Sequence, residues 1–145
     1  MFFGKFSLPL KDKSELTLPT GFRQAMSRTA YLTRGFDRNL FLLSPESFNI
    51  FSSHLQSTSI SDPLSRLLRR LFLGGAVEVI IADDGQFVLP ADLCAYASLD
   101  GEIILVGQGD YLEIWSPPNW QKQMESLDDP EANMNRFEKF DLAII

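Results

Sequence analysis

The run Val77-Glu78-Val79-Ile80-Ile81 is apolar and largely β-branched, the next five residues Ala82-Asp83-Asp84-Gly85-Gln86 are mostly polar, and Phe87-Val88-Leu89 is apolar again. This alternation predicts two extended segments meeting at a tight tip, because the glycine of Asp84-Gly85 tolerates the positive φ that tight turns need. A second hairpin is predicted from Ile103-Ile104-Leu105-Val106 and Tyr111-Leu112-Glu113-Ile114-Trp115, joined by Gly107-Gln108-Gly109-Asp110. Ser116 then has the chemistry of a helix cap, with Pro117 at the first helical position and Trp120, Met124 and Leu127 along one face.

The first half repeats this order. Gly4 answers to Gly75, Leu16-Thr17-Leu18-Pro19 to Phe87-Val88-Leu89-Pro90, and Phe22 to Leu93 at an offset of 71; Gly35 answers to Gly107, Leu40 to Leu112, Ser44-Pro45 to Ser116-Pro117 and Phe48 to Trp120 at 72. Turn glycines, strand apolars and helix-start prolines recurring in one order point to two copies of one supersecondary unit. The copies span residues 1–56 and 74–127. Between them, over 57–73, Asp62 caps a helix with Pro63 at its start and Leu64, Leu67, Leu68, Leu71 and Phe72 in one apolar stripe, with Arg66, Arg69 and Arg70 opposite. Residues 128–145 form a tail whose Phe137, Phe140, Leu142, Ile144 and Ile145 are expected to dock, for example on another subunit, with a frayed terminus as the alternative.

With 145 residues, 45% of them apolar, the chain has enough material for one compact core. One Cys and one His cannot form a Cys/His zinc site or an intramolecular disulfide. No carboxylate pair stands out for acid–base work, so neither an enzyme nor a cofactor is expected. No apolar run approaches the roughly 18 residues of a membrane span, and Met1-Phe2-Phe3-Gly4-Lys5-Phe6 has no leader-like core, so a cytoplasmic protein is expected.

The net charge of −6 conceals a division. Residues 1–73 carry ten Lys/Arg against five Asp/Glu, whereas residues 74–145 carry three against fourteen. A polyanion would meet the first half, where Lys5, Lys11, Lys13, Arg23, Arg28, Arg34 and Arg38 cluster. Pairing of those arginines with the acidic half of a neighbouring chain accounts for the same split.

Met1-Phe2 with Gly4, Leu16-Thr17-Leu18-Pro19 followed by Arg23, Arg70 with Phe72 and Ala76, Val106-Gly107, and Glu113-Ile114-Trp115 followed by Trp120 together resemble the MraZ family, two-repeat relatives of the AbrB-type regulators. The resemblance implies an α+β, mainly β fold: an AbrB-like swapped-hairpin barrel built from two tandem repeats with short flanking helices. It also implies closed, octamer-like rings that bind short direct repeats of double-stranded DNA upstream of the division and cell-wall genes, at the nucleoid, with no small-molecule substrate. The family carries an Asp-x-x-x-Arg motif at the first tip of each repeat. Here Lys11 and Ala82 stand at the Asp positions, and Glu15 and Gln86 at the Arg positions. An arginine offers phosphate or guanine a rigid fork; Glu15 reverses its charge and Gln86 leaves a neutral donor. The candidate DNA-binding residues are therefore Lys11, Lys13, Glu15, Arg23 and Gln86, and the competing class is a ring-forming protein-interaction module that has lost DNA binding.

Overall fold

The computed structural model describes residues 1–143, so Ile144 and Ile145 of the apolar tail lie outside the described residues. Within them the order is β1 (Lys5–Pro9), β2 (Glu15–Thr17), α1 (Thr20–Ala25), β3 (Thr29–Arg34), β4 (Leu40–Leu43), α2 (Pro45–Gln56), α3 (Pro63–Phe72), β5 (Val77–Ile80), β6 (Gln86–Val88), α4 (Ala91–Ala97), β7 (Glu102–Gly107), β8 (Leu112–Trp115), α5 (Pro117–Glu125) and α6 (Pro130–Phe137). The fold is mixed α+β with more strands than helices. The caps are those that the sequence predicts: Ser44 and Ser116 accept from the backbone N–H three residues on, and Asp62 from that of Leu64.

Strand pairing departs from the local pattern. β1 does not form a ladder with β2, nor β5 with β6; β1 pairs with β7 and β5 with β3, so each repeat lends its first strand to the other. The resulting antiparallel sheet runs β1-β7-β8-β4-β3-β5, while β2 and β6 pair into a separate two-stranded ribbon. An Asp-Gly turn specifies the tip but not the partners of its arms, and here the arms part as soon as the tip closes.

A local two-fold organises the exchange. Leu16 lies opposite Phe87 in the ribbon and Phe41 opposite Glu113 in the β4–β8 pair, and the partners stand 71 and 72 residues apart. The offset slips in between. Phe6 pairs with Leu105 as Val77 pairs with Leu32, which sets β3 and β7 73 apart. At the following turn Gly35 N–H donates to Asn39 O as Gln108 N–H does to Tyr111 O. The counterpart of Gly35 is therefore Gln108, one residue beyond the Gly107 that spacing alone suggests.

The ribbon packs on the inner face of the large sheet. Leu16, Leu18, Phe87 and Leu89 meet Leu32, Leu40, Leu42, Leu105, Leu112 and Ile114, α1 and α4 add Phe22, Leu93 and Cys94, and Met26 joins them just past the end of α1. On the outer face α2 and α3 cover Phe41 and Leu43, while Trp120 of α5 packs on Trp115, Ile104 and Val106. The predicted stripe of α3 is only half used. Phe72 is fully buried and Leu68 and Leu71 are partly buried, but Leu64 and Leu67 stay exposed, because the helix lies on its edge with Ser65 inward. Arg66 and Arg69 are not free on the far face either. They donate to the carbonyls of Ile60, Ser61, Gln56 and Thr58, where α2 ends and the loop to α3 runs. Leu127 falls just beyond α5 rather than on its face.

Candidate nucleic-acid interface

Both tips are built by the same backbone bonds. At the first, Lys11 N–H donates to Glu15 O at 2.9 Å and Ser14 N–H to Lys11 O at 3.0 Å; at the second, Ala82 N–H donates to Gln86 O at 2.9 Å and Gly85 N–H to Ala82 O at 2.8 Å. Positions 11 and 15, like 82 and 86, thus face each other across a tip. Each tip is also tied to the other repeat, since Leu18 N–H donates to Gly85 O and Leu89 N–H to Ser14 O.

Side-chain size decides what leans on each tip. Gly85 has a φ of +88°, and a Cβ there would stand 2.4 Å from Arg23 Nε, so the missing side chain makes room for the arginine. Arg23 Nε donates to Leu18 O at 2.8 Å. The counterparts at the first tip are Ser14 and Cys94, whose Sγ is 3.9 Å from Leu89 O. A short side chain there accommodates the Ser14 Cβ. Burial pushes the Cys94 thiol above its ordinary pKa, partly offset by a hydrogen bond with Ser14, so the thiolate is scarce near neutral pH and this cysteine is a poor nucleophile. The first tip is the more strained of the two, with Lys13 at φ 62° and Ser14 at φ 59° in the left-handed region.

Two grooves of about 420 Å³ flank the ribbon at equivalent places but carry opposite charge. One is lined by Lys11, Arg23, Pro9 and Thr17 and the other by Glu15, Gln86, Glu78 and Ala82. The five sequence candidates are thus divided: Lys11 and Arg23 share the cationic groove, Glu15 and Gln86 the other, and Lys13 stands exposed on the first tip. Arg23, which its sequence neighbourhood assigns to the first tip, also touches the second. The signal from which this could have been read is the common offset of 71 residues that carries Ser14 to Gly85 and Arg23 to Cys94.

Arg28 belongs to the basic cluster of the first half but not to the five candidates. Its guanidinium is 3.2 Å from the Asp83 carboxylate at the second tip, the one ion pair among the described residues. Arg34 and Arg38 point elsewhere, lying 5.0 and 5.3 Å from the Tyr96 ring centroid. Among the described residues no group of three or more His, Cys, Asp or Glu side chains could hold a metal ion, and no helix is long and apolar enough to cross a membrane.

The family model described as "MraZ protein, putative antitoxin-like" matches this chain twice, over residues 1–71 and 72–141. A protein of Thermomicrobium roseum named transcriptional regulator MraZ is 42% identical over 127 residues, covering 88% of this chain and 89% of the relative. Proteins of the same name from Dictyoglomus thermophilum and Herpetosiphon aurantiacus are 36% and 33% identical, over 84% and 89% of this chain and 84% and 90% of their own.

Proposed function

Since the chain belongs to the MraZ family, we propose that it is a DNA-binding transcriptional regulator whose phosphate contacts come from first-repeat cations in place of the tip arginines. The observation that supports this most is the cationic groove, where Lys11 and Arg23 converge below the exposed Lys13. In this reading the target is a set of short direct repeats upstream of division and cell-wall genes, and the protein works at the nucleoid in the cytoplasm. Multiplication of weak contacts by a ring compensates for the missing forks.

Electrophoretic mobility shifts on the chain's own upstream DNA test the reading. Lys11→Ala with Lys13→Ala should weaken binding on every sequence and flatten the plot of log affinity against log salt by about 0.9 for each phosphate no longer neutralised. Restoring Lys11→Asp with Glu15→Arg, and Ala82→Asp with Gln86→Arg, should tighten binding to direct repeats, each recovered fork being worth about 1–3 kcal/mol where it reads a base. Facing positions across each tip support the idea that the Asp orients the Arg. A restored protein that folds but binds no better excludes the tips as the reading surface.

Self-association belongs to the same reading. Ile60, Leu64 and Leu67 around α3, and Met134, Phe137, Phe140 and Leu142 in and after α6, are exposed apolar side chains suited to contacts between copies. The opposite charges of the two grooves suit head-to-tail packing. Light scattering should find a species well above the monomer that loosens at high salt; a monomer at every salt concentration rules this out. An interaction module that does not bind DNA is the second reading, favoured by the acidic Asp83-Asp84 at the second tip.

A further inference from the structure

The two-fold places Arg28 opposite a residue with no side chain. Ile81 N–H donates to Arg28 O at 2.7 Å as Leu10 N–H donates to Gly101 O at 3.0 Å, so Gly101 is the counterpart of Arg28 in the second repeat. Arg23 likewise corresponds to Cys94. The second tip, acidic in its own sequence, is therefore flanked by two arginines of the first repeat, whereas Cys94 and Gly101, both uncharged, stand at the corresponding places beside the first tip.

Arg28 and Asp83 are 79% and 90% exposed, so their pair is open to competing anions. A pair so exposed contributes little to stability, and a carboxylate held against a guanidinium occupies the place that a phosphate oxygen would take. We propose that the Arg28–Asp83 pair is a displaceable latch: Asp83 covers Arg28 in the free protein, and a nucleic-acid phosphate takes its place, making Arg28 a backbone-contacting residue at the second tip. Beside it, Arg23 is fixed by the Leu18 carbonyl and supplies a stationary positive charge. This rests on the DNA-binding reading above and adds to it a phosphate-binding group that the Asp-x-x-x-Arg positions do not supply.

The test uses full-length protein with its upstream duplex and a random-sequence duplex across a salt series. Asp83→Asn should bind both about two- to fivefold more tightly at low salt, the range an exposed pair's strength allows. Arg28→Ala should bind more weakly, with a salt slope flatter by about 0.9 for each chain engaged. In the double variant the gain from Asp83→Asn should vanish, because there is no longer a guanidinium to release. Asp84→Asn is the control: it removes the same charge without touching Arg28, and Asn can still accept the Gln86 N–H that Asp84 Oδ1 accepts. An equal gain from Asp84→Asn, or one from Asp83→Asn that survives Arg28→Ala, would reduce the effect to net charge and overturn the latch. So would an Arg28→Ala protein that binds like the wild type while Lys11→Ala with Lys13→Ala binds poorly; that pattern leaves the DNA-binding reading standing. If no variant and not the wild type binds either duplex, both fall together.

Discussion

Phe72→Ala should cost about 3–5 kcal/mol, a large share of the 5–15 kcal/mol typical of a folded domain. Phe72 is fully buried, its ring 4.9 and 5.1 Å from the rings of Phe36 and Phe51 in edge contacts and 6.2 Å from that of Phe41 in a stack. Its carbonyl accepts the buried Thr33 hydroxyl at 2.9 Å. Truncation would leave an aromatic-sized void at the most deeply buried point of contact between the end of α3 and the sheet. Urea unfolding should show a lower midpoint with little change in slope. Phe72→Leu, which fills most of the volume, should lose about 1–2 kcal/mol. A loss below about 1 kcal/mol for the alanine variant would mean that α3 is held elsewhere.

Glu113→Ala should be nearly as damaging for an electrostatic reason. This carboxylate is buried in β8 with no cation beside it, and it accepts from Asn39 Nδ2 at 3.0 Å, Gln108 Nε2 at 2.8 Å and Trp115 Nε1 at 3.1 Å. Removing it strands the Asn39 and Trp115 donors away from water, while the exposed Gln108 amide can turn to solvent; at about 1–3 kcal/mol for each buried donor that finds no new partner, a loss of about 2 kcal/mol or more is expected. Glu113→Gln should be milder. Its carbonyl oxygen keeps Gln108 and Trp115, and the Asn39 amide can turn its oxygen toward the new NH₂ group by giving up the Asp37 N–H that it now accepts. Thermal unfolding of the pair tests this, and equal losses would show that charge rather than donor satisfaction is what the site requires.

Phe41 and Glu113 also show where sequence reading stops. They face each other across the local two-fold, yet one joins an aromatic cluster under α3 and the other gathers polar groups. Every residue of β4 and β8 is buried, so the residue pattern along them says that both faces are covered but not whether a helix or an amide waits there. Caps and turns were legible, since Ser44, Ser116, Asp62 and Gly85 act on residues two or three positions away. Partner choice was not, because nothing within Val77–Ile80 encodes that its ladder is with Thr29–Leu32 rather than with the segment just past the tip. The half-used stripe of α3 is the same lesson: Leu64 and Leu67 are apolar at the right spacing, and spacing does not say what covers them. Of the candidate site, Lys11 and Lys13 were readable from charge and the resemblance. The place of Arg28 was not, because only the strand exchange carries it to a tip 55 residues away.

Strand exchange also governs the order in which this chain can be made. β1 leaves the ribosome well before the β7 residues it pairs with, Glu102 to Val106, which are translated about a hundred residues later. At 5–20 residues per second the wait is about 5–20 s, long compared with the microseconds in which a local hairpin closes. During the first part of that interval, until Val77–Ile80 is made, β3 likewise lacks β5, so the nascent first repeat exposes two unpaired strand edges and the Leu16 and Leu18 side chains that the ribbon later seals. The molecule is therefore completed from its far end, and a message cut short within the second repeat yields a half with open edges rather than a smaller working copy.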